Sequence, residues 1–214
     1  MKTVDLTTRL KSNWGLVIPF VALSCPALAH HPMGGTTPST LWQGLLSGLA
    51  HPVIELDHLL FLIGIATATA IARIAPKQAM MLMLAYVVFS AFGTVVRVSD
   101  LTIPLAETAV AISLLAIGLW LWITKLPGLV VAGLWVSGGF FHGYAYGEAI
   151  VGSETTPLVA YLCGLAFIQA ILMAGVYLMV RSFTVLAGKN LRPLARATSG
   201  VVSAMALWML WTAI

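Results

Sequence analysis

Long apolar stretches alternate along this chain with very short polar breaks, a rhythm that predicts helices crossing a membrane. Six runs stand out, at roughly 42–72, 79–97, 103–124, 128–147, 157–180 and 198–213. Crossing about 30 Å of hydrocarbon takes about 20 helical residues, and every run reaches or approaches that length. The runs lack the period-two alternation of barrel strands, the other architecture that satisfies backbone polar groups in lipid. The expected fold class is therefore all-α, a polytopic membrane protein of about six transmembrane helices after an N-terminal signal peptide. The first run is too long for one straight span, and Pro52 removes a backbone donor within it. This predicts a short outer helix or re-entrant piece at 41–50, then the span proper. The connections are brief and carry Pro76, Pro104, Pro127 and Pro157, leaving no room for a second domain.

Composition strengthens the membrane reading. The 214 residues are 60% hydrophobic and 8% charged, against about 25% charged in soluble domains. With a mean hydropathy of +0.98, the apolar residues are too many for a core and must face lipid. The net charge of +4 does not make a nucleic-acid binder, because the 11 Lys and Arg are scattered between apolar runs as topology signals. Cys25 and Cys163 have no ligand-like spacing, so neither a disulfide framework nor a thiolate site is expected. No Walker A or GxGxxG motif occurs, which excludes transport driven by the chain's own ATP hydrolysis, and no HExxH occurs either. Neither a prosthetic group nor a nucleotide is expected.

The first residues carry the parts of a secretory signal. Lys2, Arg9 and Lys11 precede the apolar stretch Trp14 to Ser24, and Pro26-Ala27-Leu28-Ala29 offers a cleavage site. The domain reading is a signal peptide over 1–29 and one six-helix transmembrane domain over 30–214; an uncleaved first helix is the alternative. One set of loops holds Arg73, Lys77, Lys125, Arg181, Lys189, Arg192 and Arg196, whereas the other holds Arg97 with Asp100 and Glu154. The basic set should face the cytoplasm, which puts the mature N-terminus outside.

Charge inside hydrocarbon demands a reason. The densest group is His51-Pro52-Val53-Ile54-Glu55-Leu56-Asp57-His58. On a continuous helix His51, Glu55 and His58 fall within about 60° of one another, since offsets of four and seven return to one face. Asp57 points elsewhere, either to another ligand position or to the second ring N–H of a histidine. Counted from Arg73, His58 is about 22 Å from the cytoplasmic boundary, in the outer half. Glu107, His142 and Glu148 lie near outer helix ends as well, and His30-His31 would stand at the mature N-terminus. Imidazole with carboxylate suits borderline divalent ions such as Ni, Co, Zn or Fe. The candidate metal ligands are therefore His30, His31, His51, Glu55, Asp57, His58, Glu107, His142 and Glu148. Two plainer readings stand beside this: a buried polar network that only ties helices together, and for Glu107 a salt bridge to Arg97. Arg97 with Asp100 reads most simply as an interfacial pair, Gln169 as a helix-to-helix hydrogen bond, and Met80, Met81 and Met83 as apolar packing. Gly138, Gly139, Gly143 and Gly147 predict close helix contact.

The segment Gly48-Leu49-Ala50-His51-Pro52 through Leu56-Asp57-His58-Leu59-Leu60, with Phe141-His142-Gly143-Tyr144-Ala145-Tyr146-Gly147-Glu148, resembles the HupE/UreJ family of nickel and cobalt permeases. The resemblance covers nearly the whole mature chain. It implies secondary uptake of Ni²⁺ or Co²⁺ across the bacterial inner membrane, with His51, Asp57 and His58 matching the first-span motif and His142 and Glu148 the fourth-span motif. It also implies a metal ion as substrate, with the lipid bilayer and a homo-oligomer or membrane complex as partners. Tyr144 and Tyr146 stand where the family's HGHAHG pattern has its second and third His. An intramembrane metal-dependent enzyme and a non-transporting accessory subunit are the alternatives.

Overall fold

The computed structural model describes residues 36–183 and 190–212. The expected signal segment, His30, His31 and Lys189 lie outside the described residues. Seven α-helices follow in order among those described: α1 (Leu41–Ile54), α2 (Leu56–Ile71), α3 (Pro76–Val98), α4 (Ala106–Ile123), α5 (Gly128–Gly147), α6 (Thr155–Arg181) and α7 (Arg192–Thr212), with one 3-10 turn at Glu148–Ile150. Helices α3, α4, α6 and α7 are long and apolar enough to cross a membrane, and α1 with α2 qualifies as a pair bent by 71°, making up to five spans. Helix α5 has the length at 20 residues, but its glycines, His142, Tyr144 and Tyr146 dilute its hydropathy.

Helix α1 starts at a cap written in the sequence. Thr40 accepts from the Gln43 N–H, one of the orphan donors of the first turn, and the Gln43 side chain accepts in return from Ser39. The break expected at Pro52 falls instead at Glu55, whose backbone is extended at φ −89°, ψ 111°, while Pro52 sits inside α1. A proline removes a single ladder bond, and the ladder otherwise runs up to the break on both sides: Glu55 N–H reaches His51 O at 3.2 Å and Leu59 N–H reaches Glu55 O at 3.0 Å. Only one residue leaves the helix.

Glycine sets the spacing of the bundle. Helices α3 and α5 touch backbone to backbone, so that a Cβ at Gly139, Gly143 or Gly147 would overlap Tyr86, Ser90 or the Thr94 and Arg97 region, and one at Gly93 would overlap Phe140. The Thr94 hydroxyl donates across this seam to Gly143 O at 2.8 Å. Gly44, Gly48 and Gly164 do the same between α1 and α6. Such small-residue seams hold membrane helices where lipid gives no hydrophobic drive. Helix α2 runs between α4, α6 and α7, with Phe61, Leu62, Ile65 and Ala66 wholly buried.

The surface is inverted relative to a soluble protein. Leu84, Val88, Phe92, Phe167, Ile171 and Trp211 are exposed, while His51, Glu55, His58, His142 and Gln169 are buried. That distribution fits a multi-pass membrane protein. Met83 is buried and Met80 and Met81 are exposed, so the three methionines make no thioether cluster. At one end of the bundle Tyr177 and Arg181 both bond Ile74 O, and a cavity of about 640 Å³ is lined by Ile74, Gln78, Trp120 and Lys125. At the other end Arg97 pairs with Glu148, and Ser153 bonds Pro38 O. The two loop sets distinguished by Lys and Arg thus gather at opposite ends.

Candidate metal centre

His51 lies in the last turn of α1, Glu55 is the break and His58 lies in the first turn of α2, so the bend brings three side chains around one point. One ligand atom from each lies within 4.8 Å of the others, and all three residues are buried. His51 Nε2 is 3.2 Å from Glu55 Oε1, and His58 Nε2 is 3.3 Å from Glu55 Oε2. The expected convergence of these three is therefore present, although the continuous helix that suggested it is not.

The bonds behind each ring assign its proton. Tyr161 O–H donates to Tyr146 O at 2.7 Å, and a phenol has one proton, so at 3.1 Å from His51 Nδ1 its oxygen accepts. His51 is then protonated on Nδ1, and its Nε2 faces Glu55. Ser113 O–H donates to Val110 O at 2.7 Å, so it accepts from His142 Nε2–H at 3.0 Å. His142 Nδ1 is left as an acceptor, and His58 Nδ1, 2.9 Å away, must donate to it. Asp57 Oδ2, 3.5 Å from the same His58 nitrogen, favours that tautomer. His58 Nε2 thus also faces Glu55. In neutral rings two Nε2 lone pairs would face one carboxylate, a repulsion that a bound cation relieves, as ring protonation also does. Donors about 2.1 Å from a common metal stand about 3.0 Å apart at a right angle and about 3.4 Å apart in a tetrahedron, a range that contains both observed separations.

The other candidates take different places. His142 stands behind His58 as its support, in contact with Phe61 at 4.1 Å between ring centroids. Asp57 lies beside His58 Nδ1 and outside the three-residue group. Glu107 is exposed in the first turn of α4 and outside the three-residue group. Glu148 is half exposed and pairs with Arg97, where the sequence had suggested Asp100 or Glu107 for that arginine. Gln169 donates to Ser90 Oγ at 3.0 Å, a helix-to-helix bond as expected. Tyr161 and Ser113 were not foreseen, because a tyrosine or serine in an apolar run carries no motif.

The family model described as HupE / UreJ protein matches residues 18–209. The chain belongs to the HupE/UreJ family. It is similar to the protein HupE of Rhizobium leguminosarum bv. viciae, at 29% identity over 184 residues, which is 85% of this chain and 90% of that protein. No solved structure matches it significantly. Among the HupE/UreJ motif positions of this chain, the two tyrosines part company. Tyr144 points to the loop between α3 and α4, donating to Leu101 O and accepting from Ile103 N–H, both at 2.9 Å. Tyr146 turns inward, with its ring 4.3 Å from that of His58 and 5.1 Å from that of His51.

Proposed function

We propose that this HupE/UreJ protein is a permease for a divalent transition-metal ion, Ni²⁺ or Co²⁺, carried inward across the bacterial inner membrane. The observation that supports this most is the convergence of the Nε2 atoms of His51 and His58 on buried Glu55. The family, associated with nickel and cobalt uptake, agrees with that donor set. In this reading six spans follow a cleaved signal, the basic end faces the cytoplasm, and His30 and His31 collect the ion outside. His51, Glu55 and His58 replace part of its water shell, and His142 and Asp57 hold His58 in its ligating tautomer. Release inward requires rearrangement around the Glu55 break, since Phe61, Tyr86 and Trp135 fill the way toward the basic end.

Uptake of Ni²⁺ and Co²⁺ by cells expressing the chain, together with the metal content of the purified protein, tests the proposal. Accumulation that is lost with His58→Ala, and one bound ion per chain, are expected. An enzyme or accessory subunit would leave accumulation at background with the wild type as well.

A further inference from the structure

At the basic end of the bundle a groove opens that shares no residue with the metal centre. It lies between the start of α3, the end of α4 and the start of α5 and holds about 640 Å³, within the range of about 300–1,000 Å³ typical of small-molecule sites. Its walls are apolar, with Met81, Leu82, Leu126 and Val131, while Lys125 and Gln78 stand among them. Trp120, 1% exposed, lines it as well, and its indole N–H finds no acceptor among the described residues.

Charge sets what such a groove accepts. Of the seven Asp and Glu in the chain, Asp5 lies outside the described residues, and Glu55, Asp57, Asp100, Glu107, Glu148 and Glu154 belong to the metal centre or to the Arg97 end. No carboxylate lines the groove, and Lys125 has no ion pair or hydrogen bond among the described residues. Helices α3 and α5 both start here without a side-chain cap and without an acidic residue in the first turn. Their backbone ladders begin at Ala79 and Val131, so the N–H groups of Gln78 and Gly128, two lining residues, are orphan donors beside the same space. Two positive helix ends thus reinforce one ammonium.

Depth in the membrane selects a lipid over a dissolved ion. Trp122 is exposed on the last turn of α4, with the Arg196 guanidinium over its ring at 5.4 Å, the arrangement of an anchor at the level where headgroups meet hydrocarbon. A dissolved phosphate would leave the apolar walls bare, and a zwitterionic lipid would bring a second ammonium to Lys125. We propose that the groove binds one anionic phospholipid from the leaflet at the basic end. Its phosphate sits on Lys125 and the N–H groups of Gln78 and Gly128, and an acyl chain follows Leu82, Leu126 and Val131. The lipid then joins α4 to the glycine-seamed pair α3 and α5. Because it uses no residue of the metal centre, this inference stands apart from the permease reading.

The purified full chain in mild detergent is titrated separately with phosphatidylglycerol, phosphatidylcholine and glycerol phosphate. Native mass spectrometry counts the bound lipid while the melting temperature is followed. One phosphatidylglycerol retained per chain and a raised melting temperature are expected, with neither effect from the other two. Lys125→Gln should weaken this binding about fivefold, the worth of one cation at a membrane surface. Arg192→Gln, which removes an exposed cation at the same end but outside the groove, should change it less than about twofold. Both side chains are exposed, so both variants fold. Equal binding of phosphatidylcholine overturns the proposal, as does equal stabilisation by glycerol phosphate, which would mark a site for a dissolved anion. Equal losses from the two substitutions overturn it too, since general surface charge would then account for the attraction. A lipid-free dimer would give the groove to a second copy of the chain.

Discussion

His142 Nδ1 accepts a hydrogen bond from His58 Nδ1 over 2.9 Å, and Ser113 holds His142 in the orientation that makes this so. On the permease reading His142 is therefore a support for a ligand. Supports of this kind usually alter metal affinity by about 10- to 100-fold when removed, whereas loss of a ligand removes the site. His142→Ala should weaken Ni²⁺ binding by about tenfold while leaving one ion per chain, and His58→Ala should abolish binding; isothermal titration distinguishes the two. Equal and complete loss in both variants would make His142 a ligand.

Tyr161 performs two tasks with one hydroxyl, accepting from His51 and donating to Tyr146 O. Tyr161→Phe frees the His51 ring to adopt either tautomer and strips a buried carbonyl of its donor, a loss of about 1–3 kcal/mol in stability. Thermal denaturation in detergent should show that loss, and Ni²⁺ affinity should fall about tenfold. A variant with wild-type affinity would sink the proton assignment for His51.

The two tyrosines of the second motif should respond oppositely to restoring the family's histidine. Tyr146→His places an imidazole beside His51 and His58 and is expected to tighten Ni²⁺ binding about tenfold. Tyr144→His lies at the loop between α3 and α4, loses the bonds to Leu101 and Ile103, and should leave affinity within about twofold of wild type. Competition with a metal indicator reads both, and tighter binding by Tyr144→His alone would contradict the geometry.

The glycine seam can be tested by position. A Cβ at Gly143 overlaps the Ser90 backbone, which cannot give way without parting α3 from α5, whereas a Cβ at Gly175 meets nothing within 4 Å. Gly143→Val should abolish recovery of folded protein from membranes, or lower its stability by more than about 3 kcal/mol. Gly175→Ala should be neutral or raise the melting temperature slightly, as helix propensity predicts. Size-exclusion profiles and melting curves of the two proteins provide the check.

What the sequence determined by itself is whatever depends on short range and on solvent. Apolar length specified helices that cross lipid, because no other state satisfies backbone polar groups there cheaply. Offsets of four and seven put His51, Glu55 and His58 on one side of the chain, and a single extended residue between them was too small a departure to undo it. The depth of Gln169 and the small residues of α5 likewise announced interhelical contact. Tertiary structure alone decided which atoms face which across helices. It moved the break from Pro52 to Glu55, set His142 behind His58, gave Arg97 to Glu148, and sent Tyr144 and Tyr146 in different directions. Those choices turn on helix rotation and register, which the glycine seams impose between segments tens of residues apart. No local pattern of residue types encodes the angle at which two such helices meet.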